Sequence, residues 1–188
     1  MPDCHSIDTA SIRLYHITHV DNLKLIAESG SLLCDRETER RNSCVGIGHT
    51  HIKERRKRRP VPTDPGSAVG DYVPFYFAPR SPMLYAIHKK NVEQYSGTQE
   101  SIVYLVTSVD SIVGCGASWC FTDRNAILDL ANFYTSLADL RRIDWQTMAL
   151  VIWKSTANDP DRSERRQAEF LVRNELPWNA ITEIGVAN

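Results

Sequence analysis

At 188 residues the chain has the length of one domain, 1–188, with room for a substantial hydrophobic core. Its 42% hydrophobic and 24% charged residues exclude wholesale disorder, and no apolar run reaches the length of a membrane span. A net charge of −1 excludes a general polycation, yet residues 53–59, six cations and Glu54, concentrate +5 in one short segment.

The opening residues Met1-Pro2-Asp3-Cys4-His5 lack the pattern of a secretory signal. The five cysteines, Cys4, Cys34, Cys44, Cys115 and Cys120, are odd in number and show no C-x-x-C spacing. Reduced thiols in a cytoplasmic protein are therefore expected, not a disulfide framework or a metal site.

Residues 12–18 (IRLYHIT) are β-branched and aromatic and read as a strand. Asp21 begins a helix with Leu23, Ile26 and Ala27 on one face, and Gly30 suits its left-handed end. Leu32-Leu33 is expected as a short strand. Residues 35–70 are polar, basic and rich in Gly and Pro, with one helix expected over 49–58 and stopped by Pro60. Residues 72–77 (YVPFYF) form an apolar strand whose Pro74 suggests an edge or a bulge. Ser81-Pro82 is the N-cap and first turn of a helix over 83–89.

Further strands are expected at 102–107 and 119–122, the first followed by a short helical or turn segment to Gly116. A helix over 124–140 would place Ile127, Leu130, Ala131, Tyr134 and Leu137 on its apolar side. Strands at 167–172 and 181–186 end the chain. Strands mixed with helices, without strict βαβ alternation, predict an α+β fold.

Four constellations can carry chemistry. His16 and Thr18 share a face of the first strand, where a polar pair needs partners or a ligand; on this feature alone a hydrogen-bonded core histidine is the simpler reading. Arg80 precedes a helix start, a place suited to a pyrophosphate, and equally to a structural carboxylate pair. Glu169, in QAEFLV (167–172), sits among apolar residues and must be paired or used; a structural pair with Arg162, Arg165 or Arg166 is the alternative. The basic run 51–59 reads by default as a solvated helix face, but its position in a long loop region raises phosphate contact.

In chain order these blocks resemble the DarT family of DNA ADP-ribosyltransferases. The similarity is carried by YHITHVDNL (15–23), HIKERR (51–56), DYVPFYFAPRSPMLYAI (71–87), FTDRNAIL (121–128) and RQAEFLV (166–172). The resemblance implies the ADP-ribosyltransferase fold, a split central β-sheet with flanking helices and an NAD cleft. It implies that His16, Thr18 and Asn22 contact NAD, with Tyr76, Arg80 and Met83 in the cleft-lining block. Glu169 would be the catalytic carboxylate, with Arg56 beside the target base. NAD would serve as ADP-ribose donor, with no metal.

The acceptor implied is a base, commonly thymine, in single-stranded DNA. The loop from roughly Asn42 to Arg59 and the segment Ala157–Arg166 would grip the strand, through Arg55, Arg58, Arg59, Arg165 and Arg166. The family also implies a bacterial toxin or phage-defence effector with a macrodomain antitoxin, DarG, as partner. RNA, guanine or protein as acceptor, NAD hydrolysis, or a catalytically silent NAD- or DNA-binding module are the alternatives. Two departures stand out: Asn125, where some members carry histidine, and an end at Asn188, with weaker DNA grip expected if a terminal extension is missing.

Overall fold

A computed structural model describes residues 8–41, 44–93 and 95–186; Cys4 and Asn42, named above, lie outside them. The strands are β1 (Arg13–His19), β2 (Ser31–Leu33), β3 (Tyr72–Tyr76), β4 (Ile102–Ser108), β5 (Trp119–Thr122), β6 (Phe133–Tyr134), β7 (Glu169–Arg173), β8 (Glu175–Pro177) and β9 (Glu183–Val186). The helices are α1 (Asn22–Ser29), α2 (Asp35–Arg40), α3 (Thr50–Arg58), α4 (Pro82–His88), α5 (Val109–Gly114), α6 (Trp145–Ala149) and α7 (Arg162–Arg165). The fold is α+β: a seven-stranded antiparallel sheet in the order β6-β5-β7-β3-β1-β4-β9, with β2-β8 as a separate pair.

The core follows from strand alternation. Phe75, Phe170 and Phe121 stand in register across β3, β7 and β5, each fully buried, and the Phe121 and Phe170 rings stack at 6.2 Å. Burying each such ring stabilises the fold by about 1.5–3 kcal/mol. Because successive strand residues point to opposite faces, Glu169 and Tyr76 project away from this aromatic row.

The sheet opens between its two middle strands. β1 pairs with β4 along its full length, from Arg13↔Ser108 to His19↔Ile102, but meets β3 at the single register pair Tyr15↔Tyr76. Pro74 explains part of this. Its carbonyl accepts from His16 Nδ1 at 2.8 Å, so its missing N–H faces the same opening. An interior strand of the sheet thus has a local edge where the proline falls.

The cap signals act as expected. Gly30 ends α1 at φ 72°, and Ser81 Oγ accepts from the Leu84 amide at 3.2 Å with Pro82 opening α4. The expected helix over 124–140 does not form. Residues 123–132 instead loop back, and β6 pairs with β5 through Phe121↔Tyr134 and Thr122↔Phe133. Side chains compete with the helix here: Asp123 accepts from the Asn132 amide at 3.1 Å, and Asn125 Oδ1 from the Ile127 amide at 3.1 Å. Leu130, assigned to the apolar side, is 73% exposed. Helix α2 (DRETER) was not expected because its sequence has no apolar face to read. Among the described residues no helix is long and apolar enough to cross a membrane.

Candidate active site

The opening between β1 and β3 continues into a cavity of about 690 Å³, within the usual range of ligand sites. His16 and Thr18 from β1, Asn22 from α1, and Arg56 from α3 line it. Tyr76, Met83 and Glu169 complete the set, so seven residues singled out in the sequence share one cavity. One glycine of the intervening wall lets the chain pass close: a Cβ on Gly48 would lie 3.3 Å from Met83 Sδ.

Glu169 is 1% exposed and Arg56 8%, and Arg56 Nη1 donates to Glu169 Oε2 at 2.7 Å. Burial works against the Arg56 cation, but the charge of Glu169, with Asp35 behind it, outweighs that and raises its pKa. The second oxygen, Oε1, accepts from the Ala126 amide at 3.1 Å, while the Glu169 amide donates to Thr122 Oγ1 at 3.3 Å. Each carboxylate oxygen has a second lone pair left for a ligand. Arg56 Nε and Nη2 are buried with no partner among the described residues. A buried pair with spare donors and acceptors facing a cavity is suited to binding more than to stability.

Asn125 and Gln167 frame this pair. Asn125 Nδ2 donates to Gln167 Oε1 at 2.7 Å, and Gln167 Nε2 donates to the Ser163 carbonyl at 2.8 Å. The turn that presents the Ala126 amide to Glu169 is therefore tied to β7's approach. Asn125 was notable in the sequence as a departure; its place at the turn beside Glu169 required the hairpin that replaces the expected helix.

The other end of the cavity is organised by Asn22. Its Nδ2 donates to Thr18 Oγ1 and to the Val45 carbonyl, both at 3.0 Å, and its Oδ1 accepts from the Val45 amide at 2.8 Å. Asn22 thus holds the segment before α3 like a strand partner. Burial pushes the His16 pKa down, favouring the neutral ring, with Nδ1 donating to Pro74. Burial and the Glu169 charge push the Tyr76 phenol up. Lys53, 3.3 Å from Asp35, also lines the cavity and had no distinguishing mark within the basic run.

The remaining arginines lie elsewhere. Arg80 does not line the cavity; it is exposed at φ 59°, and its amide donates to Tyr104 Oη at 3.2 Å. Arg55 and Arg58 are exposed on α3. Arg59 donates to Asp129 Oδ1 at 3.0 Å and to the Leu128 carbonyl at 2.9 Å. Arg165 is held by Asp144, Asp159 and Asp161. Arg166 is 2% exposed and donates to the Pro79 carbonyl at 2.6 Å.

Comparison with known proteins places the chain in a family. The DNA ADP-ribosyl transferase of Thermus sp. (strain 2.9) is 44% identical over 173 residues, 92% of this chain and 80% of that protein. The structure of Thermus sp. 2.9 DarT in complex with ADP-ribosylated ssDNA superposes with a TM-score of 0.86 at 42% identity, covering 94% of this chain and 82% of that one. The same protein in complex with NAD+ gives a TM-score of 0.82 at 40% identity, with the same coverage. The family model described as ssDNA thymidine ADP-ribosyltransferase, DarT, matches residues 15–188. With its fold and nearly its whole length matched, the chain belongs to the DarT family.

Proposed function

We propose that this chain transfers ADP-ribose from NAD to a base, thymine, in single-stranded DNA. The observation that carries the reading is the buried Arg56–Glu169 pair, opening with free hydrogen-bonding capacity into a cavity of dinucleotide size. NAD is the substrate that supplies the ADP-ribosyl group, and positive charge develops on its ribose as nicotinamide leaves. Glu169 accepts from the ribose 2′-hydroxyl and stabilises that charge, its orientation held by the Ala126 amide and Arg56. His16, Thr18, Asn22, Tyr76 and Met83 hold the donor.

In the transfer, the bond from thymine N3 to the ribose carbon forms as the bond to nicotinamide breaks, and the N3 proton is lost. Arg56 assists because a cation beside the base favours its deprotonated form. The base must be unpaired or extruded for N3 to be reached. Arg55 and Arg58, exposed on α3, are the cations of that helix free to meet phosphates, whereas Arg59, Arg165 and Arg166 hold the protein's own groups.

In the cell we assign it the role of a cytoplasmic toxin or defence effector with the macrodomain antitoxin DarG as partner. The reading rests on the family resemblance. Intact mass of short oligonucleotides after incubation with protein and NAD tests the activity. An ADP-ribose adduct on thymine-containing single strands, lost in Glu169→Gln, is expected. Adducts confined to RNA or protein would overturn DNA as the acceptor.

A further inference from the structure

Outside the cavity, rings and cations follow one another along a line of contacts. The line begins beside the catalytic carboxylate, since Tyr15 stands opposite Tyr76 and Tyr76 opposite Glu169. The Tyr15 and Tyr104 rings meet edge to face at 6.1 Å, and Tyr104 Oη accepts the Arg80 amide at 3.2 Å. From Pro79, the next residue back, the contact passes to Arg166, whose guanidinium lies 5.9 Å from the centre of the Trp153 ring. Trp153 meets Tyr85 at 6.3 Å. Cations close both ends: Arg13 lies 5.9 Å over Tyr15, and Lys89 lies 5.5 Å over Tyr85.

Tyr76 and Glu169, at the start of that line, belong to the cavity described above; the rings and cations beyond them do not. The line is also poorly explained as core. Tyr85 is 55% exposed, Arg80 and Lys89 are exposed, and Val151 and Ile152, leading into Trp153, are 68% and 78% exposed. Scattered apolar residues on a surface need no explanation, but a run of them joined to contacting rings marks an interaction surface. Beneath it, Arg166 Nε and Nη1 are buried with no partner among the described residues, so the surface is underlaid by positive charge lacking an acceptor.

We infer that this line is the track along which single-stranded DNA reaches the cleft. Bases stack on Tyr85, Trp153 and Tyr15, while Arg80 and Lys89 face the phosphates and Arg13 is held by Glu183. Single strands are held in this way because every base has a face to stack and every linkage a charge to neutralise. The rings hold one another in place, so little ordering is required on binding. The assignment moves Arg80 from the cofactor to the nucleic acid, in keeping with its position outside the cavity. It rests on the reading that DNA is the acceptor.

The test is anisotropy of a fluorescein-labelled, thymine-containing oligonucleotide titrated with the protein, alongside the KM values for oligonucleotide and for NAD. Tyr85→Ala and Trp153→Ala are each expected to weaken DNA binding about 5- to 100-fold, with the KM for NAD unchanged. Tyr85→Phe restores binding, because the ring face and not the hydroxyl is used. Arg80→Ala lowers the salt dependence of binding by about 0.7 in slope. Tyr85 is exposed, so its variants keep the fold. Unaltered DNA binding by both alanine variants would overturn the track while leaving the transferase activity standing. Should the protein bind the oligonucleotide but transfer nothing, the proposed activity fails and the binding series still decides the track.

Discussion

The Arg56 guanidinium lies 2.7 Å from the Glu169 carboxylate, although 113 residues separate the two in sequence. Each neutralises the other in a place where water cannot, and each retains hydrogen-bonding capacity toward the cavity. With the role proposed for it, the pair would couple catalysis to stability, and substitutions at either member are expected to affect both.

Glu169→Gln keeps the shape of the side chain and an acceptor for the Ala126 amide but removes the charge. Transfer to oligonucleotide is expected to fall by roughly 10²–10³-fold or more, the scale of a lost charge-stabilising group, with NAD still bound. Both variants leave the Arg56 cation buried without its counter-charge, at a cost of about 3–5 kcal/mol; Glu169→Ala also loses the acceptor for Arg56 and for the Ala126 amide and should melt below Glu169→Gln. Single-turnover assays and thermal melts of the two variants check this together. Parent-like melting temperatures in both would mean that the ion pair carries no structural load.

Asn125 acts through the turn it closes. Asn125→Ala removes the bond to Gln167 and the one that fixes the Ile127 amide, and so loosens the Ala126 amide that orients Glu169. The kcat is expected to fall roughly 10-fold, within what a small misplacement of a catalytic group produces. The NAD dissociation constant should change little. A variant with parent-like kcat would remove Asn125 from any positioning role.

Gly70 is a remote lever on Arg56. A Cβ there would stand 3.0 Å from the Lys57 Cα, so Gly70→Ala must push the backbone of α3 next to Arg56. Overpacking of this kind costs about 1–3 kcal/mol, and the displaced guanidinium should lower kcat several-fold without contact to either substrate. Differential scanning calorimetry and steady-state kinetics on the same preparation measure both effects.

His16 makes stability depend on pH. Its folded pKa lies below the ordinary value through burial, so the folded chain resists protonation that the unfolded chain accepts. The unfolded state then binds more protons below about pH 6.5, and stability falls as the pH drops through that value toward the lowered folded pKa. Above it the contribution is fully present. Melting temperature against pH should be flatter for His16→Gln than for the parent; parallel curves would show that His16 does not titrate on unfolding.

The apolar runs at residues 72–77 and 102–107, the glycine stop of α1 and the Ser81-Pro82 start of α4 are local properties, legible without a fold. So was the odd placement of Glu169 among apolar residues, because a lone carboxylate in such a strand needs an explanation wherever it occurs. The same local reading failed at residues 124–140. Their spacing permits an amphipathic helix, but Asp123 and Asn125 bond the backbone of the turn, and the free side of β5 offers a pairing that periodicity does not register.

Charge is where tertiary structure decided most. Among the cations of α3, the single buried arginine is Arg56, because the helix turns that position toward Glu169. Arg165 and Arg166 look alike in sequence, yet the first is held by three aspartates and the second lies under Trp153. A side chain's charge is written in the sequence. Its effect depends on which distant groups share its low-dielectric surroundings, and that is settled when the strands and helices pack.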